Sequence, residues 1–484
     1  MPDRQPNVLF VITHDASPRL GCYGDEHAVT PNLDALAARG ERYDRHYCQW
    51  PLCGPSRTSL MSGLRPQHTK RHDNARPYWP SLRQRMPAGY ATMGEAFKRA
   101  GYHSECVWQV LHAFETDDEA WSVPTWFPPY PDAPAWAEGK IAAEEFRYWQ
   151  EPASFELMRQ RLELAEANGV PADKLHRYAR GPTNEASDAP DSAYMDGRAT
   201  DHAVARLADL AGGDRPFFLA IGYEAGHLPW TAPKRDFDAH DPEKFDLPPV
   251  RQKPAGSAEL TRMDDEPAQY YTTHDYDRPW QADDAQLREM LHGHYASLTF
   301  LDRQVGRLLD ALESNGLADD TIVVFTSDHG FHMGEHNYVG KHSFWDKSTH
   351  CPLIVADPSR PAAAVVEVTE HVDLLPTLCD RAGIDRPAAI DGRNLDDTDG
   401  VAFSYRRRLP GDGNCRYFDA ISVRTATHRL TLYRDDAGQE IAAELFDYAA
   451  DPNESRNLAG TGGPAETDLR DRLAPQLADF PIPA

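Results

Sequence analysis

The stretch Cys53-Gly54-Pro55-Ser56-Arg57 places a thiol, a helix-compatible proline and a fixed cation close together in the chain. Proline has a φ angle that suits the first turn of a helix, so the stretch predicts a helix that begins near Cys53 and ends at Gly63. The N–H groups of a helix N-terminus favour a bound anion and lower the pKa of a thiol, and Arg57 offers a planar fork to anion oxygens. We therefore predict that an anionic ester reacts at Cys53. The alternative is that Cys53 is an inert cysteine buried beside an ordinary helix start.

Polar side chains follow three apolar runs of the kind that form buried parallel strands. His14 and Asp15 follow the run at 8–12, His227 lies beyond the run at 217–221, and Asp328 and His329 follow the run at 321–325. Ligands of open α/β sheets bind beyond the carboxyl ends of the strands, so these side chains are expected to converge on one site. Asp15, Asp328 and His329 have the chemistry of divalent-metal ligands, and His14 is a further candidate. Each of them alone could instead close a turn or make a buried hydrogen bond.

Helices and strands alternate along most of the chain, which is the pattern of a large doubly wound, mostly parallel α/β sheet flanked by helices. The predicted helices lie at 32–39, 192–211 and 284–312, and a further apolar run lies at 353–355. After about residue 392 the pattern changes to short alternating strands at 416–424 and 428–433, followed by a helix at about 465–477. We therefore predict a catalytic α/β domain over 1–392, with insertions at about 114–190 and 236–279 that shape the substrate pocket. Residues 393–484 are expected to form a small C-terminal antiparallel sheet plus helix.

The composition narrows the range of partners. The 484-residue chain carries a net charge of −26, so its average surface repels nucleic acid, and an anionic substrate needs a local cationic site. The apolar run at 8–12 is too short for a signal sequence or a membrane span, which makes a cytoplasmic protein with no membrane partner the expectation. The seven cysteines form no C-x-x-C pair, so most are expected to be reduced and structural.

The order and spacing of these motifs resemble the type I, formylglycine-dependent sulfatases of the alkaline phosphatase superfamily, and most of all the iduronate sulfatases among them. The resemblance spans nearly the whole chain and is carried by residues 7–15, 20–24, 30–37, 53–57, 60–63, 222–229, 295–309, 325–330, 334–336, 340–341, 351–354, 444–447, 451–452 and 457–458. It implies an alkaline phosphatase-like sheet and a metal-dependent hydrolase of sulfuric esters that acts on a small or carbohydrate sulfate.

The resemblance also implies roles for individual residues. A formylglycine-generating enzyme would oxidise Cys53, and one hydroxyl of the formylglycine hydrate would attack sulfur while the other later ejects sulfate. Arg57 would orient the hydrate, Lys341 would contact the sulfate, His227 would be the general acid, and His112 would be a further histidine of the site. One divalent ion, calcium by resemblance, would be held by His14, Asp15, Cys53, Asp328 and His329.

Two residues depart from the family pattern. His14 stands where the family usually has an aspartate, and because imidazole suits manganese or zinc better than calcium, those two metals are the alternatives. Gln109 stands where the pattern Gly-Lys-x-x-His would supply a lysine, so one cation facing the sulfate is missing. Asn74, His72 or Arg71 is the candidate to compensate, and Asn74 and Gln109 are the predicted substrate-binding residues.

These departures leave two alternative functions open. The related phosphonate monoester hydrolases share the Cys-x-Pro-x-Arg nucleophile, lack the lysine and carry an asparagine at the distance of Asn74 from Cys53. A hydrolase of phosphonate monoesters or phosphodiesters is therefore the first alternative. The second is a non-catalytic metal-binding relative. The presence of Cys53, Arg57, Asp328 and Lys341 argues against it.

Overall fold

The computed structural model describes residues 5–74, 79–258, 260, 283–408 and 418–481. Part of the predicted insertion at 236–279, the first two residues of the predicted strand at 416–424, and Cys415 lie outside the described residues. The other six cysteines are all unpaired thiols, as predicted.

The strands in chain order are Asn7–Thr13 (β1), Glu41–Tyr47 (β2), His103–Trp108 (β3), Asn184–Ser187 (β4), Phe217–Gly222 (β5), Trp230–Pro233 (β6), Thr321–Ser327 (β7), His332–Met333 (β8), Val339–Gly340 (β9), His350–Cys351 (β10), Leu353–Ala356 (β11), Ala363–Glu370 (β12), Val401–Arg408 (β13), Phe418–Thr425 (β14), His428–Arg434 (β15) and Glu440–Asp447 (β16). The α-helices are Pro31–Arg39 (α1), Cys53–Ser62 (α2), Pro66–Thr69 (α3), Trp79–Arg83 (α4), Met93–Arg99 (α5), Pro152–Ala167 (α6), Met195–Ala211 (α7), Lys234–Phe237 (α8), Asp284–Ser314 (α9), Asp346–Thr349 (α10), Leu374–Ala382 (α11) and Pro464–Asp479 (α12).

A mixed, mostly parallel sheet forms the centre of the molecule, with the strand order β10-β2-β11-β7-β1-β5-β3 and with β12 paired to β2. Strand β1 is parallel to both β5 and β7, and β3 is parallel to β5. The predicted strand at 353–355 is present as β11, but it runs antiparallel to β7 and β2. The segment between β7 and β11 holds the one-turn helix α10 and no crossover helix, and a parallel return needs such a crossover.

Helices cover both faces of this sheet because the side chains of a strand alternate between its faces. Val8, Phe10 and Ile12 of β1 pack in one core with residues of α2, α5 and α11. Leu9 and Val11 pack in the opposite core with residues of α1, α7 and α9. The continuous apolar sequence of β1 therefore reflects burial on both sides.

The C-terminal part forms a separate antiparallel sheet in the order β13-β14-β15-β16. Leu469 and Leu473 of α12 pack against Ile421 and Leu430 of this sheet, which accounts for the predicted terminal helix. We propose residues 393–484 as a subdomain on this basis. The predicted insertion at 114–190 contributes α6 and a cluster in which Trp149 and Met158 pack with Tyr295 of α9. Within the described ranges, no helix combines the length and apolar character needed to cross a membrane.

Candidate active site

Cys53 is the first residue of α2, as the proline two residues later predicted. The helix ends before Gly63, whose φ of 64° is the left-handed conformation of a helix C-terminus. Cys53 is only 2% exposed. Its Sγ lies 3.3 Å from Nε2 of His329 and 3.6 Å from Nζ of Lys341.

Asn74 lies against the first turn of α2. Its Oδ1 accepts a hydrogen bond of 2.8 Å from the backbone N–H of Gly54. A Cβ atom at position 54 would lie 2.6 Å from Oδ1 of Asn74 and 2.7 Å from Nη2 of Arg71, so only glycine allows this approach. Arg71 is itself held by Glu115, with two hydrogen bonds of 2.7 and 2.8 Å. Asn74 thus positions the residue next to Cys53.

The ends of β1 and β7 lie side by side and bring Asp15, Asp328 and His329 together. Thr13 is in register with Ser327, so the residues that follow these strands meet at one edge. Oδ1 of Asp328 accepts hydrogen bonds from the N–H groups of Asp15 at 3.1 Å and of His329 at 2.9 Å. Nε2 of His329 lies 3.4 Å from Oδ1 of Asp15. Asp15 has a φ of 50°, a conformation that turns its side chain out of the strand path.

Two cations balance the two buried carboxylates. Lys341 follows β9, and its Nζ lies 3.0 Å from both carboxylate oxygens of Asp15. Burial alone would raise the pKa of Asp15, but the attraction of Lys341 and the nearby imidazoles outweighs it and lowers that pKa. The pKa of Asp328 lies well below its usual value, because His329 and Arg57 outweigh the effect of burial. Both carboxylates are therefore ionised.

Arg57 connects the start of α2 with three separate segments. Its side chain is fully buried, and Nε donates to Oδ2 of Asp328 at 3.0 Å. Nη1 donates to the carbonyls of Gln109 and Val110, the latter at 3.1 Å, and Nη2 donates to the carbonyl of Thr13 at 3.1 Å. Arg57 thus holds the ends of β1 and β3 against the nucleophile helix. None of these contacts is evident from the spacing of the sequence motif.

The prediction that the helix N-terminus lowers the pKa of the Cys53 thiol is wrong. Burial raises the pKa of Cys53 well above its usual value, and the attraction of Lys341 only partly offsets this effect. The thiol is therefore protonated at neutral pH and is a poor nucleophile in that form.

His227 and His14 lie next to each other above Asp15. Their ring centroids are 5.5 Å apart, and Nε2 of His227 lies 3.9 Å from Oδ2 of Asp15. Nδ1 of His227 donates to the carbonyl of Leu228 at 2.5 Å, since a carbonyl can only accept, and this leaves Nε2 directed at the site. Burial, together with the repulsion of Lys341, lowers the pKa of His227 to about 3. Nδ1 of His14 lies 3.2 Å from Oδ2 of Asp328.

Gln109 does not take up the role of the lysine that it replaces. Its Nε2 donates to Oε1 of Glu224 at 3.1 Å, and Arg147 pairs with the same carboxylate at 2.8 Å. His112 is half-buried, and the carbonyls of Gln109 and Val110 before it contact Arg57. Glu224 and Arg147 were missed as site residues. Arg147 lies in the insertion, where no periodicity points to it. Glu224 lies in the polar segment after β5, and this position directly beyond a buried strand could have identified it.

The donor set fits a divalent metal ion. Ligand atoms of His14, Asp15 and Cys53 lie within 4.8 Å of one another, and so do those of Cys53, Asp328 and His329. All five residues are buried, and two ionised carboxylates supply the negative charge that such an ion needs. Carboxylate oxygens suit calcium, whereas the imidazoles suit manganese or zinc.

Comparison with known proteins places this geometry in context. The sequence model described as "Sulfatase" matches residues 6–384, and that described as "N-sulphoglucosamine sulphohydrolase, C-terminal" matches residues 334–481. Iduronate 2-sulfatase of Homo sapiens is 31% identical over 432 residues, which cover 79% of this chain and 70% of the human protein.

Two solved structures share the fold. A phosphonate monoester hydrolase of Agrobacterium radiobacter superposes with a TM-score of 0.72 at 22% identity and covers 98% of this chain and 95% of its own. A protein solved with its substrate D-glucosamine-2-N,6-O-disulfate has a TM-score of 0.72 at 19% identity, over 99% and 98% of the two chains.

Proposed function

The chain belongs to the sulfatase family and is a sulfuric ester hydrolase, and on that premise we propose that it works through a formylglycine derived from Cys53 and one divalent metal ion. Position 53 supports this proposal most directly. The side chain there is buried at a helix N-terminus and lies within 3.6 Å of both His329 and Lys341. Any group built on it therefore faces the charged centre, which is formed by Asp15, Asp328, His329 and Lys341.

The modification would solve the problem posed by the protonated thiol. A formylglycine hydrate carries two hydroxyls: one forms the bond to sulfur as the S–O bond to the alcohol breaks, and the other loses its proton as the aldehyde reforms and sulfate leaves. A formylglycine-generating enzyme is therefore the proposed maturation partner. The unmodified thiol offers no such route of release.

The surrounding side chains would divide the remaining work. Lys341 is proposed to neutralise the sulfate oxygens, and Arg57 is proposed to hold α2 and Asp328 in place through its four hydrogen-bonded contacts. His227 directs Nε2 at the site and is the proposed proton donor to the leaving oxygen, for which the ring must first gain a proton. His112 and Asn74 are proposed to complete the binding site.

The metal ion would be held by Asp15, Asp328, His329 and the group at position 53, with His14 beside them. When bound, such an ion supplies Lewis-acid polarisation of an ester oxygen. Calcium is the proposed ion, with manganese or zinc as alternatives, and a small or carbohydrate sulfate is the proposed substrate.

Mass spectrometry and an aryl sulfate assay together test this function. The peptide containing Cys53 should lose about 18 Da on conversion to the aldehyde, and the purified protein should hydrolyse an aryl sulfate. Cys53→Ala should abolish turnover, whereas Cys22→Ala, at another unpaired thiol, should not. An active preparation from the native host with an unmodified Cys53 thiol would contradict the mechanism.

We propose phosphonate monoesters or phosphodiesters as a second candidate class of substrate. Gln109 brings no charge to the anion, and Asn74 contacts the nucleophile helix. Hydrolysis of aryl phosphonates by the manganese-loaded protein at a higher kcat/KM than aryl sulfates would support this class. The reverse ratio would exclude it as the main activity.

A further inference from the structure

A cavity lies beside His227 and is lined by Arg147, Tyr148, Asp196, Glu224 and Phe300 among others. His227 is 29% exposed, whereas Asp15 below it is fully buried, so the imidazole separates this cavity from the charged centre. A proton donor must contact the leaving oxygen. The alcohol portion of a substrate attacked at position 53 would therefore enter this cavity, an inference that rests on the proposed function.

The cavity offers no free lysine or arginine side chain to a substrate carboxylate. Among the described residues that line it, Arg147 is the one lysine or arginine. Arg147 donates to Glu224 through Nε at 3.0 Å and Nη2 at 2.8 Å, to the carbonyl of Glu144 through Nη1 at 2.7 Å, and to the hydroxyl of Tyr148. Four of its five N–H groups are therefore engaged within the protein.

The cavity does offer a free acceptor. Oε1 of Glu224 accepts hydrogen bonds from Gln109, Arg147 and the hydroxyl of Tyr148, whereas Oε2 has only the Arg147 contact of 3.2 Å in the described part of the chain. The carboxylate of Asp196 fixes this segment by accepting from the N–H groups of Glu224 at 2.9 Å and Ala225 at 2.8 Å. Glu224 is thus held in place with acceptor capacity to spare.

We propose that this cavity is the subsite for the alcohol portion of the substrate, and that Glu224 selects a sugar that presents a hydroxyl or ammonium donor and rejects one that presents a carboxylate. A uronate carboxylate placed beside Glu224 would meet a like charge, and the neighbouring Arg147 guanidinium is already engaged within the protein. The human relative is named for a uronate sulfate. The subsite therefore gives this chain a different substrate class, that of neutral or amino sugars.

Binding to the inactive Cys53→Ala variant tests the subsite without turnover. By isothermal titration calorimetry, glucosamine 6-sulfate should bind roughly tenfold or more tightly than iduronate 2-sulfate. In the same background, Glu224→Gln should reduce this preference to about threefold or less. The matched control Glu105→Gln breaks a similar carboxylate pair with Arg206, at 3.0 and 2.7 Å, and should keep the full preference.

Glu224→Asp keeps the charge but shortens its reach, so it should weaken binding of the amino sugar and still reject the uronate. Equal or tighter binding of the uronate, binding of neither sugar, or an unchanged preference in Glu224→Gln would overturn the proposal. Aryl sulfate hydrolysis by the wild-type protein tests the sulfatase chemistry separately. A protein that hydrolyses the aryl sulfate but prefers the uronate would refute the subsite alone.

Discussion

Replacing Arg57 by lysine separates the shape of this side chain from its charge. The guanidinium reaches four acceptors: Asp328 and the carbonyls of Thr13, Gln109 and Val110. A lysine ammonium has three N–H groups on a single atom, so at least one buried acceptor loses its partner. Hydrogen bonds to charged groups contribute about 1.5–3 kcal/mol each, and the free energy of unfolding should fall by about that amount.

The effect on catalysis should be larger than the effect on stability suggests, because the lost contacts hold β1, β3 and α2 around position 53. We expect kcat/KM for an aryl sulfate to fall roughly 10²- to 10³-fold, the range seen when one catalytic hydrogen-bond donor is removed. Urea denaturation gives the free energy of unfolding, and initial rates below KM give kcat/KM directly.

Arg429→Lys is the matched control. Arg429 is equally buried and donates to four acceptors, on Phe344, Asp346, Thr349 and Glu454, but it lies in the C-terminal sheet. The free energy of unfolding of Arg429→Lys should fall by a similar amount, while its kcat/KM stays within about threefold of the wild type. If Arg57→Lys retained wild-type kcat/KM, or if Arg429→Lys lost activity to the same extent, the assigned role of Arg57 would be wrong.

Three further predictions test other parts of the structure. Gly54→Ala should lower kcat/KM about tenfold and the free energy of unfolding by about 1–3 kcal/mol, because its Cβ would meet Asn74 and Arg71, whereas Gly212→Ala has no atom nearer than 3.9 Å and should change neither. Burial alone would raise the pKa of Glu454, but the attraction of Arg429 and the hydrogen bond with His336 together outweigh it and lower the pKa to about 2. Because this pKa is lower in the folded state, the stabilisation by Glu454 is complete above its unfolded pKa and is lost as the pH falls towards 2. In the wild type, acidification should therefore lower the free energy of unfolding by about 3 kcal/mol more than it does in Glu454→Gln. The same pH dependence of the free energy of unfolding in both proteins would contradict the assignment. Asp328→Asn should lower the divalent-metal content measured by mass spectrometry from about one ion per chain towards zero, whereas the exposed Asp310→Asn should keep it. Equal metal content in the two variants would argue against Asp328 as a ligand.

The elements that could be predicted are those whose burial leaves a strong pattern. Strands β1, β5 and β7 each contain a continuous apolar run because helices cover both of their faces, and α7 and α9 are long enough to show helical periodicity. Strand β2 was missed because it carries Glu41, Arg42, Asp44 and Arg45, and its partly exposed positions accommodate charge. Strands of this kind are specified by their partners in the sheet more than by their own composition.

The sequence by itself determined the chemistry at the strand ends. Proline and glycine placed α2 with Cys53 at its start, and Asp15, Asp328 and His329 had to follow buried strands because local backbone preference and burial act over a few residues.

Tertiary structure alone decided the charge environment of those residues. Lys341 lies more than 300 positions from Asp15 in the chain, yet its Nζ is 3.0 Å away, and the burial that raises the pKa of Cys53 comes from the whole fold. The same holds for Gln109, which sequence comparison marks only as a missing lysine. Its contact with Glu224 and Arg147 depends on how three distant segments pack, and electrostatic interactions follow distance in space, not separation along the chain.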